Sequence, residues 1–299
     1  LAACNSATAE TVQKNSTQAP QKPNVIVILA DDLGYGDLKC YGAKNVETPH
    51  VDKLASEGIR FTNAHTVAAT STPSRYSLLT GEYAWRRPDT DIAAGDVKMI
   101  IRPEQYTMAD MFKSAGYATA AIGKWHLGLG DKTGGQDWNA PLPAALGDLG
   151  FDYHYIMAAT ADRVPCVFIE NGKVANYDPS DPIEVSYTKN FPGEPTGKDN
   201  PELLYNLHPS NGHDMSIVNG ISRIGFMKGG GKALWKDENI ADSITPFMPS
   251  TLSNSIKMSL SLCILQPMMY TFLVFPMTAS VERILWDYAE TQSPNSTGR

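Results

Sequence analysis

Hydrophobic and polar positions follow two different periods along the first half of the chain. Residues 25–30 form a continuous apolar run of strand length, and residues 117–122 are apolar apart from Thr119. Both segments predict strands buried on both faces of a parallel sheet. Segments of helical period begin at capping or proline positions and stop at glycines, and they predict helices over 48–54, 71–79 and 107–114. This alternation predicts an α/β fold, with a mostly parallel sheet sandwiched by helices.

Two further patterns complete the prediction of elements. Residues 59–63, which follow the helix stop at Gly58, predict another strand, and an Asn-Gly turn at Asn171 and Gly172 predicts a hairpin within 164–177. From 179 to 231, Pro, Gly and Asn are so dense that we expect long loops over the functional face rather than core elements.

Composition excludes several classes of protein. The chain has 299 residues, 42% hydrophobic and 19% charged, which is typical of a globular protein with one large or two ordinary domains. A net charge of -7 leaves no basic surplus to neutralise a phosphate backbone, so nucleic acid is not expected as the main partner. The cysteines lack the paired short spacings of a disulfide scaffold or a zinc ribbon; they are Cys4, Cys40, Cys166 and Cys263.

Residues 1–22 predict a lipid anchor and a tether. Leu1 to Cys4 has the form of a bacterial lipobox, in which the cysteine carries lipid after signal cleavage, although a chance match gives the same letters. The residues that follow are mostly Ser, Thr, Ala, Gln and Pro, as in a flexible linker. We therefore expect a periplasmic or cell-surface lipoprotein of a bacterium, which meets the membrane only through this anchor.

Adjacent carboxylates, Asp31 and Asp32, directly follow the first predicted strand. An isolated Asp-Asp pair is commonly a helix cap or a turn. At the carboxyl end of a central strand, however, it lies where open α/β sheets bind their ligands. Because calcium and magnesium need several oxygen ligands, the pair is a candidate site for a hard cation.

Four other residues form a candidate anion site. Ser71 begins the second predicted helix, whose free N–H groups and positive dipole end favour an anionic ester there, and Arg75 follows one turn later on the same face. Lys124 and His126 alternate at the end of the second buried strand and are expected to project to the same side. A lysine supplies charge to a sulfate oxygen, and a histidine can act as acid or base.

Taken together, these motifs resemble the type I sulfatases of the alkaline-phosphatase-like superfamily, in the branch of bacterial enzymes that act on sulfated glycans or aryl sulfates. The resemblance rests on the order, spacing and identity of residues 23–37, 48–55, 71–81 and 123–128. It extends over 23–245, including Asp162 to Pro165, and this segment is interpreted as an incomplete N-terminal catalytic domain.

The resemblance implies a sulfuric-ester hydrolase that removes sulfate from a sulfated saccharide with the help of Ca²⁺ or Mg²⁺. Ser71 matches the residue that is oxidised to formylglycine (3-oxoalanine), which for a serine requires an anaerobic radical sulfatase-maturating enzyme as partner. The hydrate of that aldehyde attacks sulfur. Asp31, Asp32 and the modified Ser71 match the metal ligands of the family. Arg75 and Lys124 match residues that stabilise the hydrate and the sulfate. His126 matches a residue that assists collapse of the hemiacetal.

Family residues expected later in the chain have no match after Thr245: a second histidine, an Asp-Asn pair, a further lysine and a smaller C-terminal domain. Residues 246–281 contain a single charged residue, Lys257. A membrane span over 259–276 is one interpretation, but Gln266, Pro267 and Pro276 interrupt it.

A shifted reading frame is the other interpretation of this tail. Read one frame over, the codons permit a text that resembles the next sulfatase strand and the loop with its missing histidine. We therefore expect 246–299 to be an out-of-frame, non-native tail that does not pack on the sheet. The C-terminal part of the fold would then be missing, and calcium binding and activity of this copy impaired.

Two other functions remain open. A phosphodiesterase or phosphatase of the same superfamily would use an unmodified Ser or Thr with two zinc ions, although the Pro73 to Arg75 context and the single Asp pair argue against it. A non-catalytic glycan-binding remnant would keep the sulfate pocket without turnover. His213, in a loop rich in polar residues, is a candidate sugar contact or a structural residue, whereas His50, His154 and His208 are expected to be structural.

Overall fold

A six-stranded sheet organises the computed structural model, which describes residues 22–206, 208–244 and 261–266. The strands of this sheet are β1 (Val25–Ile28), β2 (Ala118–Lys124), β3 (Tyr153–Met157), β4 (Phe168–Glu170), β5 (Lys173–Val174) and β10 (Ser261–Gln266). Their order across the sheet is β1-β10-β2-β3-β4-β5. The first four strands in this order run parallel, and β4 and β5 add antiparallel pairs at one edge.

The predicted helices form at the expected positions. They are α1 (Pro49–Glu57), α2 (Ser71–Thr80) and α3 (Met108–Ser114), and a short α4 (Ile240–Ile244) follows later. Gly81 ends α2 with a left-handed φ of 70°, a conformation that glycine adopts without steric cost. The Thr107 side chain caps α3 by accepting a hydrogen bond from the Asp110 N–H. In return, the Asp110 side chain accepts one from the Thr107 N–H.

The core lies around the fully buried strand β2. Its residues Ala118–Lys124 are all buried, and the chain beyond it places Trp125, Leu127 and Leu129 in the interior. Tyr76 and Leu79 of α2 belong to the same apolar cluster. Burial of this apolar area, at about 25 cal/mol per Å², holds the amino end of α2 against the carboxyl end of β2.

The hairpin prediction is confirmed, whereas the strand predicted over 59–63 is wrong. Strands β4 and β5 pair antiparallel around Asn171 and Gly172, both with positive φ. Residues 59–63 instead form an irregular segment in which Ile59 is 82% exposed and Phe61 is 64% exposed. None of the described strands pairs with this segment, and a strand needs a neighbour to satisfy its backbone hydrogen bonds.

Strand β10 departs from the expectation that residues after 245 do not pack on the sheet. It lies between β1 and β2 in parallel register, with Leu262 opposite Val25 and Ser261 opposite Ala118. Backbone ladders form between any two extended segments of suitable length, so an apolar run can occupy this position whatever its origin. The out-of-frame interpretation stays a prediction, and the rest of the tail, together with Cys4, lies outside the described residues.

Long loops dominate 179–231, as predicted, with four short strands set into them. These are β6 (Glu184–Ser186), β7 (Ile217–Val218), β8 (Ile221–Ser222) and β9 (Phe226–Lys228). Within the described ranges, no helix combines the length and the apolar character that crossing a bilayer would require. Cys40 and Cys166 are both free thiols.

A buried ion pair between Arg223 and Asp237 connects the loops of this region. Arg223 Nη1 lies 2.9 Å from Asp237 Oδ1, and Arg223 Nη2 lies 2.7 Å from Asp237 Oδ2. The same guanidinium donates to the carbonyl oxygens of Ala161 and Val218, at 2.7 Å and 2.8 Å. Asn219 also donates to Asp237. Both charged side chains are buried, so the geometry of these loops depends on the pair remaining intact.

His154, on β3, is expected to make the fold sensitive to acid. Its Nε2 accepts the Gly172 N–H at 2.8 Å, and burial lowers its pKa from 6.5 to about 4. In the unfolded chain the imidazole of His154 therefore binds a proton below about pH 6.5, whereas in the folded chain it binds one only below about pH 4. Stability is lost as the pH falls through this window, by up to about 3 kcal/mol.

Urea unfolding at pH 7 and pH 4.5 checks this expectation. His154→Gln, whose amide oxygen can accept the same N–H, should lose less stability between the two pH values than the wild type. The comparison removes the contribution of other titrating groups. An identical pH dependence in both proteins would contradict the assignment.

Candidate active site

The two carboxylates that follow β1 occupy different environments. Asp31 is only 5% exposed, whereas Asp32 is exposed and has a left-handed φ of 56°. Both lie close enough to the buried cations Arg75 and Lys124 for their charges to raise the pKa of each. The predicted carboxylate pair is therefore at the carboxyl end of β1, but only Asp31 is enclosed by the protein.

Ser71 is the first residue of α2 and faces Asp31, as predicted. Its Oγ accepts a hydrogen bond from Lys124 Nζ at 2.8 Å and donates to Asp31 Oδ1 at 3.4 Å. The unpaired N–H groups of the first helical turn lie beside it and favour negative charge at this point. The hydroxyl thus lies where an anionic group is stabilised by both the helix end and a lysine.

Arg75 and Lys124 are brought together around Asp31. Lys124 Nζ donates to Asp31 Oδ2 at 2.5 Å, and Arg75 Nη2 donates to Asp31 Oδ1 at 3.3 Å. Both cations are 2–3% exposed, and their burial lowers their pKa while the negative charge of Asp31 opposes that effect. With Arg75 Nε lacking a hydrogen-bond partner within the described ranges, the pocket retains donor capacity for a further anion.

His126 lies just beyond the end of β2 at Lys124, so the strand alternation expected for these two residues does not extend to it. Its backbone has a left-handed φ of 58°, and its Nε2 makes a hydrogen bond of 2.8 Å with the Ala93 carbonyl oxygen. The buried Nδ1 has no hydrogen-bond partner among the described residues. Burial, reinforced by the charges of Lys124 and Arg163, lowers the pKa of His126 to about 3, so the ring is neutral near pH 7.

Thr72 connects His126 to the loop around Ala93, a role that the sequence did not reveal. Its Oγ1 donates to the His126 carbonyl oxygen at 3.0 Å and accepts the Ala93 N–H at 3.1 Å. The side chain is fully buried. A threonine in the first turn of a helix has no distinctive sequence signal, because its partners are 21 and 54 residues away in the chain.

A second polar cluster contains the predicted sugar contact His213. Its Nε2 lies 2.9 Å from Asp162 Oδ2, and Arg163 Nη1 donates to Asp162 Oδ1 at 3.2 Å and to Thr160 Oγ1 at 2.8 Å. The three principal side chains are each about a fifth exposed. The charge of Arg163 contributes to the low pKa of His126, so the cluster lies near that histidine.

The predicted calcium site was tested against the donors that the described residues supply. Asp31, Asp32 and Ser71 provide oxygen donors of the type calcium prefers, but calcium takes about six to eight ligands. The described part of the chain contains no group of three or more His, Cys, Asp or Glu that could hold a metal. Both oxygens of Asp31 are also engaged by Lys124 and Arg75. By themselves, these residues do not fit a calcium ion.

Comparisons with known proteins all match this chain to sulfatases. The sequence profile of the sulfatase family matches residues 23–207. An N-acetylgalactosamine-6-O-sulfatase of Bacteroides thetaiotaomicron is 56% identical over 245 residues, which cover 82% of this chain and 47% of that protein. Mouse steryl-sulfatase is 48% identical over 120 residues, covering 37% of this chain and 19% of that protein. The chain thus spans at most about half the length of these two relatives.

A solved structure supports the same conclusion. It comes from a study of a Bacteroides thetaiotaomicron genetic locus for the metabolism of multiple glycosaminoglycans and is described as a 6S-sulf protein. Its TM-score with this chain is 0.85 at 47% sequence identity, covering 91% of this chain and 59% of that one. The predicted α/β, alkaline-phosphatase-like fold class is confirmed by this match. The chain belongs to the sulfatase family.

Proposed function

We propose that this chain is a sulfuric-ester hydrolase that removes sulfate from a sulfated sugar through residue 71. The observation that carries the proposal is the position of Ser71 Oγ, 2.8 Å from Lys124 Nζ at the start of α2 and next to Asp31. This arrangement offers a reacting oxygen and a set of anion-stabilising donors at the same point. The proposal concerns this chain alone, because the chain spans only part of its relatives' length.

The charges around Ser71 favour a sulfate group. Lys124 and Arg75 each approach one oxygen of Asp31, and the amino end of α2 adds partial positive charge. A sulfate ester that enters the pocket would meet Lys124 as a compact point charge and Arg75 as a planar donor. Burial strengthens these interactions, because the pocket excludes most of the water that would screen them.

Oxidation of Ser71 to formylglycine by the maturating enzyme would supply a hydrate oxygen that attacks sulfur. The S–O bond to the sugar would break, and the sugar oxygen would leave as a hydroxyl after taking up a proton. The chain's own residues then have separate tasks. Lys124 holds the reacting oxygen, Arg75 neutralises the sulfate, and Asp31 accepts a proton or a hydrogen bond from residue 71. His126 is assigned to assist the release of sulfate by accepting a hydrogen bond at its bare, buried Nδ1, since a pKa of about 3 makes its ring a weak base.

The second cluster is proposed as the sugar-recognition site. Asp162 accepts hydrogen bonds and Arg163 donates them, and His213 can do either, which matches the mixed donor and acceptor character of sugar hydroxyls. Arg163 is close enough to His126 for its charge to lower the pKa of that ring. The similarity to an N-acetylgalactosamine-6-O-sulfatase supports a 6-sulfated amino sugar of a glycosaminoglycan as the substrate class.

The experiment combines a mass measurement with turnover. The chain is co-expressed with an anaerobic radical sulfatase-maturating enzyme, and the Ser71 peptide is analysed by mass spectrometry. A loss of about 2 mass units, accompanied by release of sulfate from 6-sulfated N-acetylgalactosamine, is the expected result. Protein produced without the maturating enzyme is the control and should release none.

Two other outcomes have defined meanings. Oxidised Ser71 without release of sulfate from any of a panel of sulfated mono- and disaccharides would overturn the hydrolase proposal for this chain. Binding of sulfated sugar without turnover, by protein whose Ser71 stays unmodified even after co-expression with the maturating enzyme, would favour a glycan-binding remnant. That second outcome is worth measuring because few oxygen donors surround Asp31 among the described residues.

A further inference from the structure

An exposed aromatic pair lies at the other end of α2 from Ser71. Tyr83 and Trp85 are 52% and 74% exposed, and their rings stack with centroids 5.8 Å apart and planes inclined by 27°. The ten residues of α2 separate this pair from Ser71 by about 15 Å along the helix axis. The pair therefore lies outside the pocket described above.

The segment that carries the rings is anchored rather than loosely attached. Ala84, between the two aromatic residues, is 5% exposed and begins a short 3₁₀ turn, Ala84–Arg86. The Ala84 N–H donates to Ser77 Oγ at 3.1 Å, and its carbonyl oxygen accepts from Thr90 Oγ1 at 2.7 Å. Because the backbone is held at both ends, the two rings are presented at little cost in conformational entropy.

A cation completes the surface. The Arg86 guanidinium lies over the Trp85 ring, 5.4 Å from its centroid. The neighbouring Arg87 is engaged by both carboxylate oxygens of Asp89, but no ion pair is formed by Arg86 with the described acidic residues. The surface thus combines two flat apolar faces with a guanidinium that is available to an anion.

We propose that Tyr83, Trp85 and Arg86 form an accessory binding surface for a sulfated polysaccharide. The apolar face of a pyranose ring stacks on Trp85 or Tyr83, and Arg86 pairs with a sulfate or carboxylate of the same or the next sugar. The patch is small compared with the roughly 1,200 Å² or more that a stable protein partner buries. The chain carries a net charge of -7, so attraction of an anionic polymer must come from such a local cation.

This inference concerns binding at a site separate from residue 71, so the two proposals can fail independently. Affinity electrophoresis or calorimetry with chondroitin 6-sulfate is the test, and neutral dextran is the control polymer. Trp85→Ala should weaken binding of the sulfated polymer by about tenfold or more. Arg86→Gln should weaken binding and reduce its salt dependence. Phe61→Ala removes an aromatic ring of comparable exposure elsewhere and should change affinity less than about twofold.

Activity measurements separate this surface from the pocket. Trp85→Ala should leave hydrolysis of a sulfated monosaccharide unchanged, whereas Lys124→Met should abolish hydrolysis and leave polysaccharide binding intact. Wild-type affinity in Trp85→Ala would overturn the proposal, and so would equal binding of dextran and chondroitin 6-sulfate. If Trp85→Ala instead changes the oligomeric state and not the polymer affinity, the surface is a contact between copies, and the proposal is wrong.

Discussion

Replacement of Ser71 by alanine is expected to abolish sulfate release from the matured protein, lowering kcat/KM by about a thousandfold or more. The physical reason is that alanine has no hydroxyl to oxidise, so neither the aldehyde nor the reacting oxygen of its hydrate can form at residue 71. Lys124 and Asp31, which contact it at 2.8 Å and 3.4 Å, have no comparable group to act on after the substitution. Because Ser71 is half-buried and its hydroxyl lies in the pocket, the free energy of unfolding should change by less than about 1 kcal/mol.

Ser74→Ala is the matched control for this substitution. Ser74 lies in the same turn of α2, and its Oγ donates to the Ala68 carbonyl oxygen at 2.8 Å, outside the cluster around Asp31. Its loss should change kcat/KM by less than about threefold. Initial-rate measurements on both variants, with urea unfolding as the check of folding, decide the matter. Residual activity in Ser71→Ala equal to that of Ser74→Ala would assign the chemistry to another residue.

Arg223→Met is expected to be the most destabilising single substitution among the described ion pairs, with a loss of about 3–5 kcal/mol. The substitution removes both close contacts to the buried carboxylate of Asp237, at 2.7 Å and 2.9 Å. It also removes the donors to the Ala161 and Val218 carbonyl oxygens. A buried negative charge would then have lost its principal compensation, which costs far more than the loss of an exposed pair.

Arg102→Met provides the comparison for the Arg223 variant. Arg102 pairs with Glu104 at 3.0 Å, but the two side chains are 61% and 71% exposed, so the loss should be less than about 1 kcal/mol. Arg223→Lys, which keeps the charge without the two-pronged geometry, should lie between the two. Urea unfolding of the three variants tests the ranking. Equal effects of Arg223→Met and Arg102→Met would show that the buried pair does not hold the loops together.

Local patterns predicted much of this fold because they have local causes. The start of α2 at Ser71, its stop at Gly81 and the Asn171–Gly172 turn each depend on backbone preferences of a few residues. The strand expected over 59–63 failed because an extended segment also needs a neighbouring strand, which the apolar pattern cannot reveal. The place of β10 between β1 and β2 was missed for the same reason.

The candidate site divides along the same line. The sequence by itself indicated that Asp31, Ser71, Arg75 and Lys124 belong to one site, because their motifs resemble those of the type I sulfatases and Asp31 and Lys124 follow predicted parallel strands. Only the tertiary structure decided that His126 turns towards the Ala93 loop and that Thr72 holds it there. The pairing of Asp162 with His213, across 51 residues, is of the same kind. These contacts depend on loops whose paths are set by packing and not by local propensity, and no short stretch of sequence encodes them.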